Sequence, residues 1–551
     1  MRYPGWALAA VLLSIAACGS EDSRSGGDSS ELGRCARDSD CPTGLVCLDQ
    51  ACVAEDGQVP EKPVPRTFLP PASSRDHVFA LSSDANAVAV IDPLRLEVQA
   101  IPLPAEPLDL AVLPGEEAIL VLSRAGAALS LLSLGDDGPR LSIRRLPRKL
   151  PTLSLAPDAS WAVVWTRDGE ALDAGSEGLV LLVDVGRLRD GAPDATIERV
   201  AGRRHTDVVF RSDASGAARD AVVVGKEELA VFDLSDPASQ PAPTRVELPA
   251  THAEIATRRV AASPDGAFVL IASLVSPDLL VFDVEGRSLG SLVLPAPPSD
   301  LAVGAEGRLA LLPLRSASKT AWFPLPDALN DPGAIRVADV SLPGAGCEVP
   351  GCLVAPGQAR LSPDGTFALL FTSAQQAKSF GRLDLDTGDW RIFDRIRKEV
   401  RTIAIAPTGS HAIVLHRPRP DSTVADEYER EVDRAEGYSV VALESGSSQL
   451  VLTQQVPPLD AVFAAGSRHA AVTLRSDAAR VFRLDSIDLE TLVSAPLRLS
   501  SAPEYVGPLA PSLEGRIWVT QIHPAGRISF VDLAARSTRT LTGYELNGEI
   551  E

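Results

Sequence analysis

The chain has 551 residues, room for one large domain or two or three average ones. An apolar fraction of 45% against 23% charged residues is ordinary globular composition and excludes wholesale disorder. A formal net charge of -21 argues against nucleic acid, whose binders gather Lys and Arg against phosphate.

The first six residues, Met1-Arg2-Tyr3-Pro4-Gly5-Trp6, carry one positive charge and lead into an apolar run over 7–17. A charged start, a short apolar stretch and small residues at its end make a secretory signal. A membrane-spanning helix needs about 20 apolar residues, and this run is far shorter. It stops at Ile15-Ala16-Ala17-Cys18, which resembles the lipobox of bacterial lipoproteins. The resemblance implies cleavage before Cys18 and acylation of that cysteine with fatty acids such as palmitate, so residues 1–17 are read as signal peptide. The membrane is then a partner through the lipid alone. Gly19 and Ser20 lack the aspartate that in Gram-negative lipoproteins resembles an inner-membrane retention signal, which implies the outer membrane.

Residues 18–34 follow the lipidated cysteine with Ser, Gly and acid, the composition of a flexible tether. Four cysteines come next, Cys35, Cys41, Cys47 and Cys52, over 35–52. So short a segment cannot bury a core, and cross-links must hold any fold it has. The spacings lack the CxxC pairs and histidines of a zinc site. Two disulfides are expected, and four cysteines allow three pairings. The segment resembles a small Cys-rich module found in envelope proteins of myxobacteria. Residues 53–75 are read as a linker stiffened by Pro60, Pro63, Pro65, Pro70 and Pro71. The last two cysteines, Cys347 and Cys352, are expected to pair with each other across a short loop.

From 76 to 545 the chain repeats, and 546–551 is read as a tail. One recurring piece is an apolar strand, a tight Pro/Asp/Gly turn and a second apolar strand, as in RVAASPDGAFVLIAS (259–273) and ARLSPDGTFALLFTS (359–373). The other is a strand closing on aspartate, as in ELAVFDL (228–234) and ISFVDL (528–533). Four short strands per unit, with units often a little over 40 residues apart, fit the blade period of a β-propeller. Continuous apolar runs fit strands covered on both faces. The expected class is therefore all-β, a β-propeller of eight or more four-stranded blades behind the small disulfide-rich module. About ten repeat units can be counted, the first without a clear leading strand; two stacked smaller rings are the alternative. The repeats resemble the YVTN and WD-repeat-like propellers of bacterial envelopes, most closely over 77–104. That resemblance implies a fold and no particular function.

Individual motifs carry little chemistry. Gly286-Arg287-Ser288-Leu289-Gly290 fits a nucleophile elbow by pattern, but it lies between two strands and is read as a hairpin turn. Asp384, Asp386, Gly388 and Asp389 lack the spacing and closing glutamate of a calcium loop. The same stretch, LDLDTGDW, resembles the turn by which quinoprotein-type propellers lock neighbouring blades. Aspartates ending strands, Asp184, Asp233, Asp283 and Asp532, are expected to accept backbone hydrogen bonds in the following turns. The seven histidines show no metal-binding spacing, and no cofactor is expected.

The loops are more informative. In a propeller, second-to-third-strand loops and blade-to-blade connections open on one face. Three elaborated segments fall there: 167–177, 343–357 and 417–437. The last carries Asp426, Glu427, Glu429, Glu431, Asp433 and Glu436 against Arg430 and Arg434, and is the candidate binding loop. The sequence thus reads as an envelope protein whose propeller is a binding or scaffold platform for a protein or glycan. The alternative is a propeller enzyme of lactonase, lyase or quinoprotein-like type, with its site at the channel mouth.

Overall fold

The computed structural model describes residues 68–170, 176–240, 242–304, 309–344, 352–374, 376–466 and 468–543, and the backbone of 45–48, 51–54 and 549–550. The chain divides into two compact units, 1–63 and 64–551. In the first, Leu45–Leu48 pairs antiparallel with Ala51–Ala54, and Cys47 stands opposite Cys52 in the ladder. Cys18, Cys35 and Cys41 lie outside the described residues.

The second unit is a ring of ten blades, each a four-stranded antiparallel sheet built from consecutive strands. Blades 1 to 10 cover 72–102, 107–145, 152–200, 207–247, 258–293, 302–339, 358–393, 399–454, 458–498 and 503–542. The first strand of each blade is the innermost, since first strands meet those of neighbouring blades. The fourth strand is outermost and most exposed, as the pattern of Gly138–Arg145 shows.

Side-chain alternation explains the apolar runs. In Phe268–Ser273, the second strand of blade 5, Phe268, Leu270 and Ala272 pack towards blade 6. Val269 and Ile271 pack towards blade 4. A strand between two blades has no solvent face, so it cannot alternate apolar with polar. Each such aliphatic side chain contributes about 1.5–3 kcal/mol by leaving water. The turns obey the same crowding. Gly266 holds φ at 67°, and a Cβ there would sit 1.9 Å from the Phe210 carbonyl of blade 4.

Ten apolar cores lie between the ten blades, one at each junction. The tenth joins Val78 and Ala80 of blade 1 to Ile528 and Phe530 of blade 10, which makes one closed ring rather than two stacked ones. Among the described residues no strand is exchanged at this closure. Instead Trp518 Nε1 donates to Ser73 Oγ at 2.8 Å, Ser73 Oγ to the Pro508 carbonyl at 3.2 Å, and Ser512 Oγ to the Arg75 carbonyl at 3.1 Å.

Two boundaries shift from the sequence reading. Ala72–Ser73 is the inner strand of blade 1, so the propeller begins inside the Pro-rich stretch taken as linker. Glu549–Ile550, in the stretch taken as tail, adds a fifth strand outside Ser537–Thr542. Both strands are two residues long, too short to show periodicity.

Candidate functional site

The face carrying the second-to-third-strand loops is the more elaborate one, and its charged groups are held by specific partners. In blade 3, Asp168 accepts two hydrogen bonds from Arg204, at 2.7 and 3.0 Å, which hold its carboxyl below the usual range. Glu170 accepts from Thr152 Oγ1 and the Arg167 amide, both at 2.8 Å. His205, buried against Trp165, donates from Nε2 to the Gly202 carbonyl at 3.2 Å, and burial lowers its pKa. The loop 167–177 is therefore anchored at its base to the connection between blades 3 and 4; 171–175 lies outside the described residues.

Over blades 6 to 8 the other two loops each touch the loop of blade 7. Leu342–Pro343 and Leu353–Val354 form a small hairpin, and Gly344 bridges to Ala377 in the loop of blade 7. Cys352 is a bonded cysteine; Cys347 lies outside the described residues, so their pairing stands as a proposal. The residue after Ala377, Lys378, pairs with Asp433 Oδ1 at 2.5 Å in the loop of blade 8.

That blade 8 loop contains a helix, Glu427–Arg434. Asp426 caps it by accepting from the Glu429 amide at 2.9 Å, and Glu427 and Glu429 sit in its positive first turn. At the other end Lys398 reaches the carbonyls of Val432, Asp433 (3.2 Å) and Ala435 (2.7 Å), groups a helix end leaves unpaired. Asp433 also accepts from Ser422 Oγ at 2.8 Å. Burial alone would raise this carboxyl, but Lys378 and Ser422 outweigh it and hold the pKa down. Burial pushes the Lys398 ammonium down to about 8 against the opposing pull of Asp433 and Glu436.

Beneath the helix, His416 is fully buried. A carbonyl only accepts, so Nδ1 carries the proton to the Glu399 carbonyl at 3.2 Å, and Nε2 accepts from Ser439 Oγ at 2.7 Å. Burial first, then Lys398, drives its pKa down to about 3.

The candidate binding loop is thus more embedded than its composition suggests. Asp433 is an anchor, and Glu436 opens the third strand of blade 8 opposite Gln454. Glu429 pairs with Arg397, while Arg430 and Arg434 donate to the Val424 and Ser422 carbonyls at 3.1 and 3.2 Å. Glu427, Tyr428 and Glu431 face outward, Tyr428 with Arg397 packed on its ring at 4.9 Å. Sequence reasoning passed over Lys378, Lys398 and His416. They lie far from the helix in sequence, and the one local hint was that His411 and His416 share a hairpin.

Removing one partner of a buried ion pair costs about 3–5 kcal/mol. The helix buries only Val432 and Asp433 from its own length, so Asp433→Ala should undock it while the ring stays folded. Hydrogen exchange would then show the Glu427–Arg434 amides losing protection with the Ala412–Leu415 core unchanged. Retained helix protection would contradict the anchoring role.

The strand-ending aspartates act as expected, Asp184 accepting from the Arg187 amide at 2.9 Å and Asp283 from Gly286 at 3.0 Å. Gly286–Gly290 is a turn entering the strand Ser288–Val293. Asp384 accepts from the amides of Asp386 and Thr387, and Trp390 Nε1 donates to the Ser341 carbonyl at 3.2 Å, tying blade 7 to its predecessor. Among the described residues no group of three His, Cys, Asp or Glu is placed to hold a metal, and no helix is long and apolar enough to cross a membrane. On the opposite face a hollow of about 550 Å³ opens at the closure, lined by Pro71, Val112, Pro114, Pro508, Pro511 and Trp518.

No family model matches the chain, and no curated protein matches its sequence. Among solved structures, a eukaryotic initiation factor is 9% identical, covering 86% of this chain and 94% of its own with a TM-score of 0.44. The dihydro-heme d1 dehydrogenase NirN is 16% identical over 74% of this chain and 82% of its own, with a TM-score of 0.37. The β-propeller domain of Myceliophteria thermophila Cps50 (Swd1) is 11% identical over 59% and 96%, with a TM-score of 0.29.

Proposed function

We propose that this chain is a lipid-anchored cell-envelope protein whose propeller presents a binding platform to another envelope protein or a glycan. The observation that carries this reading is the division of labour on the loop face. Lys378, Lys398, His416 and Asp433 are engaged inward as scaffold, which leaves Glu427, Tyr428 and Glu431 presented on a fixed helix. Rigid loops offering a few outward side chains suit recognition, because little order is lost on binding. The Ala17-Cys18 junction, the tether and the Cys-rich segment support the envelope location.

The test is capture from envelope extract by the soluble chain beginning at Gly19. Glu427→Gln/Tyr428→Ala/Glu431→Gln should leave the melting temperature unchanged and weaken capture of a partner that the parent chain retains. The loss should shrink at moderate salt, where exposed charges are screened. Undiminished capture would remove this helix from the binding surface.

The cysteine reading has its own check. With Cys18 acylated and Cys35, Cys41, Cys47, Cys52, Cys347 and Cys352 paired, thiol counting on the denatured, unreduced protein should find none. Two reactive thiols per chain would refute complete pairing. The Cys347–Cys352 link closes too short a loop to add much global stability.

A further inference from the structure

We infer that the hollow at the ring closure seats a basic protein segment that inserts apolar side chains between blades 10 and 2. The hollow lies on the face opposite the blade 8 helix, where first strands turn into second and third into fourth. Its walls are Val112 and Pro114 of blade 2 and Pro508 and Pro511 of blade 10, with Ala72 and Ser73 of blade 1 between them. Pro114, Pro508 and Pro511 are exposed. A volume of about 550 Å³ is enough for a few apolar side chains.

One wall is an elaboration of an otherwise uniform turn. Nine of the ten first-to-second-strand connections have four or five residues, and that of blade 10, 509–515, has seven. The extra length holds the short helical turn Pro511–Leu513. Ser512 Oγ fixes that turn to blade 1 by donating to the Arg75 carbonyl at 3.1 Å.

Charge identifies the occupant. Among the described residues, the connections on this face hold 22 Asp and Glu against seven Lys and Arg, while those on the opposite face hold 16 of each. The acid excess of the connections is therefore confined to the face with the hollow. At the hollow itself, Asp76, Glu116, Glu117 and Glu514 stand against two guanidiniums, Arg75 on Asp76 at 2.9 Å and Arg189 on Glu116 at 2.5 Å. An apolar cleft in a field of carboxylates complements apolar side chains flanked by Lys or Arg, and repels acidic ones. The field spreads over the whole face, far wider than the hollow, which suits a polypeptide rather than a small molecule.

Isothermal titration of the soluble chain beginning at Gly19 tests this with a short lysine-rich peptide carrying a central Leu-Leu pair and with its Ser-Ser counterpart. The Leu-Leu peptide should bind at least about tenfold more tightly. Pro114→Lys/Pro511→Lys sets two cations on the walls and should remove that advantage. Asp386→Asn/Glu444→Gln changes the charge of the same face equally, but on blades 7 and 8. It should weaken binding less than about twofold, because salt confines the effect of each charge to about 8 Å. Bound peptide joins blade 10 to blade 2 across the closure. At about ten times its Kd, hydrogen exchange of the Val78–Ser82 amides through opening of that closure should slow about tenfold. Circular dichroism and melting curves establish that the variants fold as the parent does. Equal affinity for the two peptides, equal weakening by both variants, or exchange at the closure unchanged by the peptide overturns the proposal.

Discussion

Acidification from pH 6.5 towards 3 should cost the propeller several kcal/mol through His416 alone. Its folded pKa is about 3 against 6.5 for the free side chain, so between these values the unfolded chain binds a proton that the folded one does not. Stability from this group is complete above about pH 6.5 and falls as the pH drops, by about 1.4 kcal/mol per unit, or about 3 kcal/mol at pH 4.5. The cause is local. A second proton on the ring would place a charge in a fully buried site, beside Lys398, and would displace the hydrogen bond from Ser439. Glutamine keeps one donor and one acceptor and does not titrate in this range. Denaturant unfolding at pH 7 and pH 4.5 should therefore show a parent-chain loss exceeding that of His416→Gln by about 3 kcal/mol. Equal losses would mean that the imidazole is not held neutral.

Replacing Cys18 with serine should abolish membrane association outright. An anchor of two or three acyl chains gains about 0.8 kcal/mol per buried methylene, so its removal leaves nothing of comparable strength. A net charge of -21 also repels anionic lipid surfaces. Detergent-phase partitioning of Cys18→Ser should move the protein wholly to the aqueous phase as an uncleaved precursor. Partitioning with membranes after a salt wash would refute the lipid-anchor proposal.

The blades were legible in the sequence because their physics is local. SPDG between two apolar runs is a turn with a required glycine, and FVLIAS has no polar face because it has no solvent face. Even the first blade's missing leading strand follows from chemistry, since Pro70 and Pro71 interrupt it and leave Ala72–Ser73 to pair with Val78 and Phe79. The loop over blade 8 was legible only as a charged insertion. Composition cannot distinguish Asp433 from Glu431, although one is sealed against Lys378 and the other faces solvent. That difference arises from contacts between residues 55 positions apart, which no periodicity encodes.

The closure at Trp518 and Ser73 makes this ring a bracelet with a clasp. Nine of its ten cores join segments that are neighbours in sequence, so they can form as the chain lengthens. The tenth joins residues 445 positions apart and must wait for the rest. An arc of ten blades docked at nine junctions already holds its ends near each other, which spares most of the entropy of closing so long a loop. Opening should reverse this order, with exchange and proteolysis entering at the clasp before any other junction. Because each core is a two-blade affair, moving the chain ends to another blade boundary by circular permutation should move the weak point with them.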